Sequence, residues 1–244
     1  MTGRIDIHSH LLPGVDDGCP TVEESIACAR LLGRMGYTHA FCTPHIWPSF
    51  PHNNVNLIPQ RTADLQARFD AAGVHMKLLP GGELSLRPEM LALPLDQLVT
   101  FNMAGHYALM DFWAESLPDS FWPVARQVQS LGVTLIIAHP ERIRAIHADP
   151  PVVERFLEAG LLLQGNLQCF SDPLGSSNRT LVERFLTEGR YTFLGSDTHK
   201  LETLPLRLDG LLRAIELVGK SKVNELTIDN PRRLLPPDPP STPA

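Results

Sequence analysis

The chain has 244 residues, a formal net charge of -6 and 43% hydrophobic residues, enough to bury the core of one barrel-sized domain. Its acidic balance, spread along the chain, excludes a nucleic-acid clamp, which needs a concentrated basic stripe. No apolar run is long enough to span a bilayer, and Cys19, Cys28, Cys42 and Cys169 form no Cys-x-x-Cys pair, so the chain reads as soluble, cytoplasmic and free of disulfides or thiolate zinc.

Ile5 and Ile7 alternate with Asp6 and His8 in the period of a strand, and Pro13-Gly14 marks a turn after it. His8 and His10 are two residues apart, so at the end of an extended segment both imidazoles can serve one cation. Thr21 followed by Glu24 is a capping box, and Val22, Ile26, Ala29 and Leu32 continue it as the first helix. His39 to Thr43 reads as the second strand, over by Pro44, with His45 just beyond. An aromatic, Pro/Asn-rich loop from Trp47 to Asn56 leads to a helix over about Ile58 to Ala72.

Val74 to Leu79 is the third strand, closed by Pro80-Gly81-Gly82 and followed by Glu83; Tyr107 to Phe112 is the fourth, with Asp111 near its end. A helix around Phe121 to Leu131 precedes the apolar strand Val133 to Ala138 and then His139. Asp149-Pro150-Pro151 opens a helix that stops at Gly160, Leu161 to Leu163 is the sixth strand, and Asn178 to Glu188 is helical. Thr192 to Gly195 is the seventh strand, delivering Asp197 and His199, and a helix through Leu208 to Val218 and a shorter one near Lys222 to Leu226 follow. One domain over 1–235 and a Pro-rich tail over 236–244 complete the reading.

Residues just past successive strands are therefore His8 and His10, His45, Glu83, Asp111, His139, Asp197 and His199, with Asp17 in the loop after the first strand. In a barrel of parallel strands all these positions share one face. About nine nitrogen and oxygen donors are too many for one divalent ion and suit two or three, with manganese, iron and zinc all compatible. Three such ions against four carboxylates leave roughly two positive charges, matching a phosphate monoester dianion, which a metal-bridging hydroxide can attack without a protein nucleophile. Arg142, three residues after His139, is placed to clamp that phosphate; its alternative is an ion pair with Glu141.

Asp-Ile-His-Ser-His with Asp-Asp-Gly, Thr-Pro-His45, Gly-Gly-Glu83, Ala-His139-Pro-Glu-Arg142, Ser-Asp197-Thr-His199 and the closing Ile-Asp-Asn-Pro-Arg resemble the polymerase-and-histidinol-phosphatase (PHP) superfamily. Within it they are most similar to the bacterial manganese-dependent protein-tyrosine phosphatases of capsule and exopolysaccharide operons. The resemblance implies a distorted (β/α)7, TIM-like barrel and three metals. His8, His10, Glu83 and Asp197 would hold one ion, Glu83, Asp111 and His139 a second, and Asp17, His45 and His199 a third. It also implies Arg142, Asp197 and His199 as catalytic residues and the tail of a tyrosine autokinase as substrate. Glu23-Glu24 lies where relatives make subunit contacts, which leaves a homo-oligomer open. The sequence departs from the pattern twice: Asp111 stands where Glu is expected, and the Arg expected soon after His199 is missing, with Arg207 as the candidate substitute for binding phosphate.

Rival readings remain at this stage. Asp16 can exchange roles with Asp17, and His106, His39, His52, His75 and His147 are read as structural or surface residues. Cys28 and Arg34 form a literal Cys-x5-Arg, rejected because Cys28 lies inside an amphipathic helix without a phosphate-cradling loop. Trp47, Phe50 and Trp113 either stack on a phenyl ring or pack the barrel. The same site would serve a small phosphate ester such as histidinol phosphate, a phosphodiester, or, without turnover, a phosphorylated partner.

Overall fold

A computed structural model describes residues 3–236, so all of the Pro-rich tail except Pro236 lies outside the described residues. Strands and helices alternate as β1 (Arg4–Ser9), α1 (Val22–Arg34), β2 (Tyr37–Cys42), β3 (His45–Ile46), α2 (Leu57–Ala71), β4 (Lys77–Pro80) and β5 (Glu83–Ser85). There follow β6 (Tyr107–Asp111), α3 (Phe121–Ser130), β7 (Thr134–Ala138), α4 (Arg144–Ala148), α5 (Val152–Glu158), β8 (Leu162–Asn166), α6 (Ser177–Thr187), β9 (Phe193–Gly195) and α7 (Leu204–Asn224). Thr21 caps α1 by accepting from the Glu24 backbone N–H at 3.2 Å, as the capping box requires.

Every pairing is parallel, in the orders β1-β2-β4 and β3-β5-β6-β7-β8-β9. The two ladders are one ring interrupted twice at the same level. Pro44, which has no N–H to give, separates β2 from β3, and Gly81-Gly82 separates β4 from β5. Bonds from Gly81 N to Cys42 O and from Glu83 N to Pro44 O, each 3.0 Å, carry the pairing across the gap. A Cβ on Gly82 would come within 2.7 Å of Ile46 and Val99, so only glycine lets the chain pass there. With β2/β3 and β4/β5 each taken as one broken strand, the distorted (β/α)7 arrangement expected from the sequence is present. Its edges meet where Ser9 pairs with Thr198.

Alternate residues along the strands feed two apolar clusters. Ile5, Ile7, Phe41, Leu79, Leu109, Ile136 and Phe193 form one, while Ala40, Leu78, Met110, Ile137 and Leu194 join helix residues such as Phe121, Phe156 and Phe185 in the other. The closing Ile-Asp-Asn-Pro-Arg segment lies at the opposite end of the strands from their C-termini. Thr227 accepts from Arg4 at the start of β1, and Asn230 Nδ2 donates to Thr192 O just before β9.

The structure corrects several boundaries. The second strand resumes after Pro44, because the His45 and Ile46 backbone can still pair with Glu83 and Leu84. The third begins at Lys77, since Val74 N is spent on Phe69 O at the end of α2. The helix expected from Asp149 starts at Val152 and is preceded by α4, and the final helix runs from Leu204 to Asn224, broken at Gly219 with φ 82°. Gly210 brings α7 against the turn after β8, where a Cβ would overlap the Leu167 carbonyl. Gly210→Ala should therefore destabilise the fold by about 2 kcal/mol or more, read as a lowered Tm in thermal unfolding.

Candidate metal centre

The ends of most strands contribute one or two side chains to a common point. His8 Nε2 and His10 Nε2 are 3.2 Å apart, and Asp197 Oδ1 lies 3.4 and 3.5 Å from them. Glu83 Oε2 is 3.6 Å from both imidazoles. Glu83 Oε1 is 3.0 Å from His139 Nε2, and Asp111 Oδ1 is 3.8 Å from His139 Nδ1. Across the mouth, Asp17 Oδ1 is 3.3 Å from His45 Nε2 and 3.5 Å from His199 Nε2. Donor atoms close enough to share a cation form the sets His10-Asp17-His45-His199, His8-His10-Asp197 and His8-Glu83-His139. Asp111 stands beside the third set without entering it, in keeping with its short side chain.

All of these side chains are buried except those of His199 and Asp17, which lie at the rim; the Asp17 side chain is 64% exposed. Glu83 Oε2, both Asp111 oxygens, His45 Nδ1 and His139 Nδ1 are buried without a hydrogen-bond partner among the described residues. His45 Nδ1 and Glu83 Oε2 approach to 2.8 Å but are not aligned for a hydrogen bond. Leaving so many polar atoms unpaired is costly unless cations satisfy them, and an all nitrogen-and-oxygen donor set fits divalent metal ions.

Supporting contacts fix how the donors point. Asp16 Oδ2 accepts from His10 Nδ1 at 2.7 Å and from His45 N at 3.0 Å, while its Oδ1 accepts from Gly18 N. Gln164 Oε1, oriented by its own Nε2 donating to Gly165 O, takes His8 Nδ1 at 2.9 Å. Both contacts place the imidazole proton on Nδ1 and leave Nε2 free to coordinate. Asp16 and Asp17 thus divide the work left open in the sequence: one orients, the other faces the cleft. Asp197, left-handed at φ 52° like His139 at φ 31°, has its Oδ2 held by Asn166 Nδ2 at 2.7 Å and Arg142 Nη1 at 2.8 Å.

Burial alone would neutralise these groups, and mutual attraction reverses it at most of them. Despite burial, His8, His139 and His45 hold Glu83 well below the usual carboxylate range, and His8, His10 and His199 do the same for Asp197. Against the same burial, Asp16 holds His10 well up, and Asp111 with Glu83 pushes His139 up to about 9. Burial wins at Asp111, raised to about 6. Without metal, His10 and His139 are held toward their protonated forms, so ion binding at them must release protons.

The donors open into a cleft of about 300 Å³ that also touches Trp47, Phe50, Trp113 and Arg142. The Arg142 guanidinium lies 5.4 Å from the centre of the exposed Trp113 ring. Glu141 is not its partner: that carboxylate is buried on Asn166 N and Tyr191 OH. Arg207 differs from its sequence reading. It is buried and gives Nε, Nη1 and Nη2 to the carbonyls of Ser196, Thr203 and Asp197 at 3.0, 2.8 and 2.7 Å, steadying the Asp197–His199 turn from behind. Cys28 is buried in α1 while Arg34 is exposed, which removes the cysteine-phosphatase arrangement.

A family model described as capsular polysaccharide synthesis, CpsB/CapC, matches residues 4–236. The chain belongs to the CpsB/CapC family. It is 27% identical to the tyrosine-protein phosphatase YwqE of Bacillus subtilis over 232 residues, covering 95% of this chain and 91% of the relative. It is 28% identical to the tyrosine-protein phosphatase CpsB of Streptococcus agalactiae serotype V over 239 residues, covering 95% and 98%. A crystal structure from work on YwqE of B. subtilis and CpsB of Streptococcus pneumoniae, called unique metal-dependent tyrosine phosphatases, superposes with a TM-score of 0.84 at 26% identity over 94% of each chain. Membership of CpsB/CapC agrees with the resemblance carried by the His, Asp and Glu motifs.

The sequence did not single out Gln164 or Asp16 as orienting groups, because one lies within a strand and the other beside a better-known motif position. Asp16→Ala should weaken metal binding about 10- to 100-fold, measured by calorimetric titration of the chelated protein. In metal-free protein, the raised His139 contributes stability that is complete below the unfolded value of 6.5 and lost as pH rises through about 9. The Tm of the chelated form should accordingly fall from pH 7 to pH 9.5, and metal loading should flatten that dependence.

Proposed function

We propose that this chain is a metal-dependent protein-tyrosine phosphatase, a phosphoric monoester hydrolase with three divalent ions, manganese first among the candidates, acting on the phosphotyrosine tail of a tyrosine autokinase in polysaccharide export control. The observation that carries it is the set of unpartnered buried donors converging beside Arg142 in one cleft. The names borne by YwqE and CpsB support the same activity.

In this reading His8, His10, Glu83 and Asp197 hold one ion, Glu83, His139 and Asp111 the second, and Asp17, His45 and His199 the third. Bound divalent ions supply Lewis acidity toward water and the phosphoryl oxygens. Arg142 keeps one nitrogen on Asp197, and its remaining N–H groups are available to phosphate oxygens at the cleft wall. Asp197 gathers His8, His10, Asn166 and Arg142 on one carboxylate, so the group that would hold an ion also holds the phosphate-binding arginine in place. Trp47 and Phe50 flank His45 with ring centres 4.2 and 5.9 Å away, giving the apolar sides that a phenyl ring needs.

Among the described residues no helix is long and apolar enough to cross a membrane. Cytoplasmic placement belongs to the proposal, as does a homo-oligomer through the first turn of α1. Glu24 of that turn also accepts from Leu201 N within the chain.

Metal-loaded protein should hydrolyse a phosphotyrosyl peptide with a higher kcat/KM than histidinol phosphate or a phosphodiester. His45→Ala and His199→Ala should lower turnover by about a thousandfold or more with the circular dichroism spectrum unchanged. Preference for histidinol phosphate would move the substrate to small metabolites, and phosphopeptide binding without turnover at full metal content would make the chain a regulator.

A further inference from the structure

The cleft of about 300 Å³ has room for a phosphorylated ring but not for the peptide that carries it. Beside it lies a larger groove of about 510 Å³. Trp47 and Phe50 belong to the walls of both, so the two adjoin at this aromatic pair. The remainder of the groove mixes apolar side chains, Val55, Met90 and Leu93 among them, with polar ones such as Asn54, Asn56 and Gln97.

Its origin is a departure from the strand-helix alternation. Between β5 and β6 the chain makes three short 3-10 turns, at Pro88–Ala92, Leu95–Gln97 and Phe101–Met103, where the other long connections carry α-helices. That connection leaves Leu91 44% and Leu95 39% exposed. A second hollow lined by Leu95, Leu98 and Met103 meets the groove at Val55. A trough that becomes more apolar toward Leu95 and Met103 thus lies beside the metal centre, over the β5–β6 connection.

One charged side chain bears on what such a trough would take. Arg87 is the sole charged residue in the groove lining, and among the described residues no carboxylate pairs with it, in a protein whose net charge is -6. A cation beside apolar side chains matches an extended chain with apolar side chains and a nearby carboxylate.

We infer that this groove is a substrate-docking site, taking the peptide segment next to the phosphotyrosine and selecting an apolar residue with an acidic neighbour. The inference rests on the phosphotyrosine reading above and adds to it a sequence preference. Binding energy won in the groove falls outside the reacting centre, so small aryl phosphates do not feel it.

The test compares para-nitrophenyl phosphate with two peptides, acetyl-Glu-Leu-Ala-phosphoTyr-Ala-Leu-Glu-amide and acetyl-Lys-Ser-Ala-phosphoTyr-Ala-Ser-Lys-amide, on manganese-loaded wild type, Arg87→Glu and Leu93→Asp. Wild type should prefer the acidic, apolar peptide by about tenfold or more in kcat/KM, chiefly through KM. Arg87→Glu should abolish or reverse that preference and Leu93→Asp should reduce it, while both hydrolyse para-nitrophenyl phosphate within about twofold of wild type. Equal hydrolysis of the two peptides by wild type, or variants that slow all three substrates alike, would overturn the groove's role and leave the phosphatase reading standing. A wild type that hydrolyses none of the three would overturn both.

Discussion

The molecule depends on one tie between distant parts of the chain. Asp197 N donates to His8 O at 2.7 Å, His10 N donates to Thr198 O at 2.8 Å, and Ser9 pairs with Thr198 between them. These contacts join the first strand to the segment after the last, and buried Asp6 secures the joint by accepting from Ser196 N at 2.9 Å. They bring His8 and His10 against Asp197 and His199. Without that closure the remaining strands would present donors to an open edge, with no centre to converge on.

The closure also concentrates charge. Carboxylates and imidazoles packed into a buried mouth must be compensated, because an isolated buried ion is far too costly to keep. In the metal-free protein part of the compensation is internal: His10 is held toward its protonated form and Glu83 and Asp197 toward their ionised forms, by one another's charge. Arg142 and Arg207 add positive charge from two sides of Asp197, one on its carboxylate and one on its backbone. The arrangement is internally consistent yet incompletely satisfied, and the unpaired atoms at Glu83, Asp111, His45 and His139 mark where further positive charge belongs.

Much of this was legible before the structure, because a repeating strand-helix pattern dictates that strand ends share a face. His8, His45, Glu83, His139, Asp197 and His199 were readable on that ground alone. What periodicity could not reveal were contacts set by side-chain reach: Asp16 on His10, Gln164 on His8, Arg207 behind Asp197. Arg207 shows why. Its spacing after His199 was compatible with an anion ligand, but the start of α7 at Leu204 turns its donors onto carbonyls. The β5–β6 connection escaped for another reason, since an apolar stretch without helical period has no template to match.

The matched interruptions of the second and third strands have an evolutionary corollary. His45 faces Glu83 across the ladder because Thr43-Pro44 and Gly81-Gly82 reset the pairing by compatible amounts. Gain or loss of a single residue in either link would rotate its half-strand and throw His45 or Glu83 to the opposite face. The two links are therefore locked in length to one another. Insertions and deletions among homologues should gather in the outer connections, and a change in one link should be found only with a compensating change in the other.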